Sequence, residues 1–259
     1  METIWNKIKL FVDDKVKSYT GWKMDVNLKK KDYILELDGV KTRFYLPYIK
    51  TDWIQQHIYT GKNYFEYDNL NYICQKWHEG EIGKLINNNI VLDVGANIGN
   101  HTMYYINECN AKLVYCFEPV KDTFRILQKN IEINKLSNRV KLVNVGVGNN
   151  SGKAKIANYN VNNIGGTSIE VTKDGDIDVV AIDDMQIEGK IGMVKMDVEG
   201  FEVFALKGMM KTLDEHKPFI TIEIRNKHIN EVCSMLTNIG YRYEKLDQEG
   251  DYADFLFYV

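Results

Sequence analysis

Asp93, Glu118, Asp197 and Glu223 each close a short apolar run: Ile90-Val91-Leu92, Val114-Tyr115-Cys116-Phe117, Met193-Val194-Lys195-Met196 and Phe219-Ile220-Thr221-Ile222. A further run ends at Val145. If these runs are parallel strands of one open sheet, their carboxyl ends share a rim, and ligands of such sheets bind there. A lone acid at a strand end is usually a cap or a solvated residue. Several converging on one rim suit a cationic or hydroxyl-rich ligand, or a metal ion.

The first acid separates two classes of ligand. Val94-Gly95-Ala96-Asn97-Ile98-Gly99-Asn100-His101-Thr102 reads as a strand end, a glycine turn and a helix start. A dinucleotide would place its pyrophosphate at that helix N-terminus, where amide groups and the helix dipole favour negative charge. A carboxylate at Asp93 opposes that anion. S-adenosylmethionine carries a sulfonium and an ammonium instead, which an acid attracts, so the turn favours a methyl donor over NAD. Glu118, nineteen residues beyond Gly99, is placed to accept both hydroxyls of a ribose. NAD enzymes share that acid, so the discrimination rests on Asp93. An NAD-dependent oxidoreductase and a non-catalytic binding module that keeps the fold stand as alternatives.

The elements that must position these residues follow from periodicity. Apolar residues recur at helical spacing from Ile4 to Val16, predicting an amphipathic helix over 3–18 that faces the core or a second copy in a homodimer. Residues 33–37 and 40–46 flank Asp38-Gly39, a hairpin signal. From Thr51 to Asn88 the chain reads as largely helical and rich in aromatics. Beyond residue 88, strands at 90–95, 112–118, 140–145, 192–197 and 219–224 alternate with helices. An inserted pair of strands includes Val179–Ile182, and two β segments around Gln248-Glu249-Gly250-Asp251 close the chain. The pattern predicts an α/β Rossmann-like doubly wound sheet, mostly parallel with one antiparallel strand. Residues 1–88 form an N-terminal cap and 89–259 the ligand-binding domain.

Composition narrows the partners. A net charge of −3 gives no basic field for nucleic acid. The three prolines, Pro47, Pro119 and Pro218, form no Asn-Pro-Pro-Tyr motif, and no cysteine precedes a proline. Amine methylation of bases and cytosine attack by a thiolate therefore lack their usual residues. Cys74, Cys109, Cys116 and Cys233 form no CxxC pair and read as reduced packing residues. No signal peptide or membrane-spanning run is evident, which predicts a cytoplasmic protein without stable membrane insertion.

The runs Val91–Thr102, Phe117-Glu118-Pro119, Ile182-Asp183-Asp184 and Val194-Lys195-Met196-Asp197-Val198-Glu199-Gly200-Phe201-Glu202 together resemble the FkbM family of S-adenosylmethionine-dependent methyltransferases. Asp52-Trp53-Ile54-Gln55 and Tyr64-Phe65-Glu66 resemble the segment preceding the domain in that family. The resemblance implies a class I methyltransferase sheet and O-methylation of a sugar or natural-product hydroxyl. By the same analogy Asp93, Gly95, Asn97 and Gly99 line the methionine end of the cofactor and Glu118 takes the ribose. Asn100, Thr102 and Pro119 complete the cofactor set. Gly146 departs from the alanine expected after the third strand, which would widen the adenine side.

A sulfonium is already activated, so the protein's task is to align acceptor oxygen, methyl carbon and sulfur in a dry site. A sugar hydroxyl is a weak acid and gains from a base as the new bond forms. Asp197 or Glu199 is the expected base, with Lys195 and His101 as secondary candidates. The plainer reading makes Lys195 and Glu199 a solvated ion pair and leaves Glu202 as a helix-start acid. Glu223, Tyr64 and Glu66 are candidates for the acceptor side, where cap tyrosines would either stack on a small-molecule or glycan acceptor or simply pack. Asp197 and Glu223, with Asn226 or His228 nearby, could alternatively hold a divalent metal. Phosphoryl or phosphoramidate oxygens on an activated precursor are further possible acceptors. Residues 162–168 read equally as a loop closing over substrate or a plain connection.

Overall fold

The computed structural model describes residues 34–158 and 164–259, so the amphipathic helix expected over 3–18 lies outside the described residues. The hairpin forms as β1 (Ile34–Glu36) and β2 (Arg43–Tyr45), antiparallel, with Ile34 opposite Tyr45. Its strands are shorter than the apolar runs suggest. Leu37 N already bonds Thr42 O at 2.9 Å and closes a turn through Gly39, whose φ is +77°. The helical stretch follows as α1 (Trp53–Gly61), α2 (Tyr67–Asn71), a π turn at Tyr72–Lys76, a 3-10 turn at Trp77–Gly80 and α3 (Glu81–Ile86). Asp52 starts α1 by accepting from Gln55 N, which satisfies one of the orphan donors of the first turn.

Strands and helices then alternate: β3 (Ile90–Val94), α4 (Asn100–Asn107), β4 (Leu113–Phe117), α5 (Lys121–Ile133) and β5 (Val140–Val143). An excursion follows through β6 (Gly146–Val147), β7 (Gly152–Asn158), β8 (Ser168–Val171) and β9 (Ile177–Val180). The chain returns as β10 (Ile191–Met196), α6 (Glu202–Lys207), α7 (Met210–His216), β11 (Phe219–Arg225), α8 (Ile229–Thr237), β12 (Arg242–Glu249) and β13 (Tyr252–Tyr258). The main sheet has the order β12-β13-β11-β10-β3-β4-β5, in which β13 is antiparallel to both of its neighbours and the other pairings are parallel.

The third strand stops at Val143, short of the expected Val145. Val145 N turns back onto Val143 O at 3.0 Å, and the Asn144 side chain donates to the Glu118 and Pro119 carbonyls. That bend sends the chain into a separate four-stranded sheet, β6-β9-β7-β8, rather than the pair of strands that the sequence suggests.

The central strands β3 and β10 are buried on both faces, so they read as continuous apolar runs rather than alternating ones. One face packs on α6, α7 and α8 through Leu206, Leu213, Val232 and Leu236. On the other face the cap residues Phe44, Ile58, Trp77 and Ile82 share one apolar core with Met103, Leu127 and Met193. The four cysteines are buried free thiols. Among the described residues no helix is long and apolar enough to cross a membrane.

Asn130 ties three parts of this fold together. Its carbonyl accepts from Tyr45 N in the hairpin at 2.6 Å, and its amide donates to Ile98 O in the glycine turn at 2.9 Å. It is fully buried on α5. Asn130→Ala leaves both backbone groups unpaired in a dry environment, so urea denaturation is expected to show a loss of about 2–4 kcal/mol.

Candidate active site

The rim at the carboxyl ends of β3, β4, β10 and β11 is assembled around one buried ammonium. Lys195 Nζ donates to Gly95 O at 2.8 Å and lies 3.8 Å from Asp93 Oδ1 and 3.6 Å from Asp197 Oδ2. Burial opposes its charge, but Asp197, Asp93, Glu66 and Glu223 together outweigh that cost and raise its pKa. Lys195 is therefore a fixed cation and not a base. The expected Lys195–Glu199 pair does not form; Glu199 pairs with Arg225 at 2.5 Å.

The glycine turn is pinned against the next loop. Gly95 has φ +81°, and a Cβ there would lie 1.8 Å from the Asp197 carbonyl oxygen. Asp197 N bonds Val94 O at 3.0 Å, so the turn after β3 and the acid after β10 form one unit. Asn97, at φ +50°, donates its N–H to Glu118 Oε2 at 3.0 Å, while Glu118 Oε1 accepts from Val120 N at 2.8 Å. Both bonds favour the carboxylate, yet burial dominates and pushes Glu118 up to about 7.

Gly95, Asn97, Glu118, Pro119, Asp197 and Glu199 line one cleft that opens to solvent. Four of the residues expected at the cofactor lie elsewhere. Asp93 is 0 % exposed, accepts from Thr102 Oγ1 at 2.6 Å and lies 3.8 Å from Lys195 Nζ, so it is set back from the cleft. The reason is positional, since Asp93 sits within β3 rather than beyond its end. Thr102 is sealed with it, also touching Cys116 Sγ at 3.0 Å. Asn100 is buried and clips the cap to α4 by bonding Phe65 N and Phe65 O at 2.9 and 3.0 Å. Gly99, the N-cap of α4, packs toward Leu127 instead of the cleft. Gly146 does line the cleft, but it does not widen it: a Cβ there would meet Ile169 Cδ1 at 2.7 Å, so Ile169 fills that space.

Tyr64, expected on the acceptor side, is also withdrawn. It is buried, bonded to Thr42 Oγ1 at 2.7 Å, and its hydroxyl is pushed up to about 12 by burial. Glu66 faces the rim instead, 3.7 Å from His101 Nε2. Burial and the Lys195 charge hold His101 well below its usual pKa, so that contact joins a carboxylate to a neutral imidazole.

Asp197, Glu199 and Glu223 each offer an oxygen within 4.8 Å of the others. Such crowding of carboxylates is relieved by retaining protons. Burial, with Asp197 and then Asp254 and Glu199 nearby, pushes Glu223 up to about 10. Burial and Asp197 push Glu199 up to about 7 against the opposing pull of Arg225. Three oxygen donors suit a hard divalent cation such as magnesium. The further ligands suggested by sequence are engaged elsewhere: Asn226 bonds Gly250 O and Gln248, and His228 Nδ1 lies 2.7 Å from Glu202 Oε2.

Arg225 and the Glu202–His228 pair escape the sequence reading, as does Thr123, a buried hydroxyl on the cleft wall. Glu202 does more than start a helix, because its second oxygen accepts from Gly200 N at 2.7 Å. A signal for Thr123 was available: Thr123 and Asn130 are seven residues apart, on the α5 face that also buries Leu127 and Ile131.

A family model described as the methyltransferase FkbM domain matches residues 93–243. The chain belongs to that family. It therefore carries an S-adenosylmethionine-dependent methyltransferase domain, and methyl transfer replaces the hydride alternative. The hexuronic acid methyltransferase AglP of Haloferax volcanii is 26% identical over 170 residues, covering 63% of this chain and 69% of that protein. The crystal structure of an FkbM methyltransferase from Methylobacillus flagellatus superposes with a TM-score of 0.51 at 21% identity. That match covers 80% of this chain, which spans 55% of the length of the other, and it supports the class I fold.

The buried acids make stability fall with pH. Glu118 and Glu199 hold protons in the folded state up to about 7, and Glu223 up to about 10. An unfolded glutamate releases its proton near 4.3, so in this range the folded state binds more protons than the unfolded one. Their contribution is complete below the unfolded value and is lost as pH rises through the folded values. For buried Glu118 alone the loss is of order 3 kcal/mol. Thermal melts are expected to fall steadily from pH 5 to pH 8 in the ligand-free FkbM protein; a flat or rising profile contradicts the assignment.

Proposed function

We propose that this FkbM protein methylates an uncharged hydroxyl oxygen of a sugar, in the biosynthesis of a surface glycan or related natural product. The observation that carries the reading is the acid cluster of Asp197, Glu199 and Glu223 beside the cleft that Glu118 closes. Its carboxyl oxygens suit the hydroxyl donors of a sugar. The hexuronic acid in the name of the Haloferax volcanii relative supports a sugar as acceptor class; that sugar carries a carboxylate, so the support extends to the sugar and not to its charge.

The cleft suits the cofactor by its donor set and by an orphaned buried polar atom on its wall, Thr123 Oγ1. When bound, S-adenosylmethionine supplies a methyl group already activated by its sulfonium. Glu118 would take the ribose hydroxyls, with Gly95, Asn97 and Pro119 along the same wall. Asp197, fixed by Lys195, faces the end where methyl transfer would occur. Glu199 is our candidate for the proton acceptor, since a base whose pKa lies near working pH is most effective. Arg225 holds it in place at the strand end. Glu223, protonated at neutral pH, would donate a hydrogen bond to the acceptor. Lys195 and Arg225 already pair with Asp197 and Glu199, so we propose a metal-independent reaction.

Mass spectrometry of surface glycans from cells with and without the gene is expected to show a methyl group lost from a sugar residue; identical glycans contradict the reading. That unmethylated glycan fraction then serves as acceptor. Methyl transfer to it by the wild type should rise with pH through about 7, as Glu199, facing Asp197, Arg225 and Glu202, gives up its proton. Glu199→Gln should lower the rate by roughly 10²–10⁴-fold with S-adenosylhomocysteine affinity little changed. EDTA should leave the wild-type rate intact, whereas a loss restored by magnesium would assign the carboxylates to a cation.

A further inference from the structure

Thr123 lies in the first turn of α5 and is 2 % exposed, yet its hydroxyl has no hydrogen-bond partner. A buried helical threonine commonly bonds a carbonyl one turn earlier; Thr123 does not. An unpaired hydroxyl in a dry environment costs stability, which makes it a marked group in a fold whose other buried amides and hydroxyls are largely satisfied.

Its position on the cleft wall gives the hydroxyl a use. Glu118 marks where a ribose would sit, and Thr123 stands five residues further on, beyond Pro119 and Val120. The cleft wall also carries Val120, Val145, Val147, Ile169 and Phe201, with Thr167 among its polar residues. Apolar surfaces with a few placed polar groups suit a planar heteroaromatic ring that carries donors and acceptors on its edge. Rotation about χ1 moves the Thr123 hydroxyl without moving the backbone. We infer that the Thr123 hydroxyl hydrogen-bonds the purine edge of the bound cofactor and is a specificity-determining residue for its nucleoside half. The inference rests on the cofactor reading above. It explains why a hydroxyl that weakens the free protein stands at this position.

The test uses the full chain, with isothermal titration of S-adenosylhomocysteine and of adenosine into wild type, Thr123→Val and Thr123→Ser, and thermal melts of each without ligand. Valine keeps the shape and removes the hydroxyl; serine keeps the hydroxyl. Thr123→Val is expected to bind both ligands about tenfold more weakly while melting higher than wild type when ligand-free. Thr123→Ser should bind within about twofold of wild type. Equal affinity of Thr123→Val and wild type overturns the inference. So does an equal loss in both variants, which would assign the effect to packing of the methyl group. A loss for S-adenosylhomocysteine that adenosine does not share overturns the placement at the nucleoside. If wild type binds neither ligand, the cofactor reading itself fails, a result that the variants cannot mimic.

Discussion

The rim depends on one interaction: a buried ammonium held between two acids and a backbone carbonyl. Lys195 reaches across from β10 to Gly95 O, with Asp93 behind it and Asp197 in front. A charge that deep persists only when it is paired, and breaking such a pairing costs more than forming it gains. The backbone reinforces it. Gly95 has no room for a side chain because the Asp197 carbonyl occupies that space. The turn that begins α4 and the loop that carries the rim acids therefore cannot move independently.

That constraint sets the electrostatics of everything around it. One cation serves Asp93, Asp197, Glu66 and Glu223 at once, and Arg225 is committed to Glu199. Negative charge exceeds positive, and the surplus is taken up as protons on the acids that are hardest to solvate. Glu199 also holds a left-handed backbone, φ +51°, next to Gly200 at φ +99°. Strained backbone of this kind persists where the surroundings over-determine it. Here Arg225 and the Gly200–Glu202 bond fix the segment from both sides.

Much of this was legible in the sequence, for identifiable reasons. The strand pattern survives because β3 and β10 are buried on both faces and must be apolar throughout. The strand-end acids were visible because they interrupt those runs. Burial depth was not visible. Asp93 and Asp197 look alike in sequence, but one lies inside its strand and is sealed while the other follows its strand with a side chain 41% exposed. Asn100 and Thr102 belong to the same glycine-turn motif as Asn97, yet helical geometry turns one toward Phe65 and the other toward Asp93. Pairing across loops was equally hidden: nothing local in Glu199 or Arg225 shows that they are partners twenty-six residues apart.

The cap closes the same electrostatic argument from the other side. Asn100 fixes Phe65 by two backbone bonds, and that places Glu66 opposite His101 at the entrance to α4. A charged imidazole there would neutralise one more acid, but Lys195 and burial keep His101 neutral. The acceptor side thus retains its excess of carboxyl oxygens. Oxygens of that kind accept hydrogen bonds from hydroxyls and, where protonated, return one. A neutral polyol satisfies both kinds of group without bringing a new charge into the cluster. The fold that stabilises one lysine therefore also sets how many protons the rim holds, through the same set of acids.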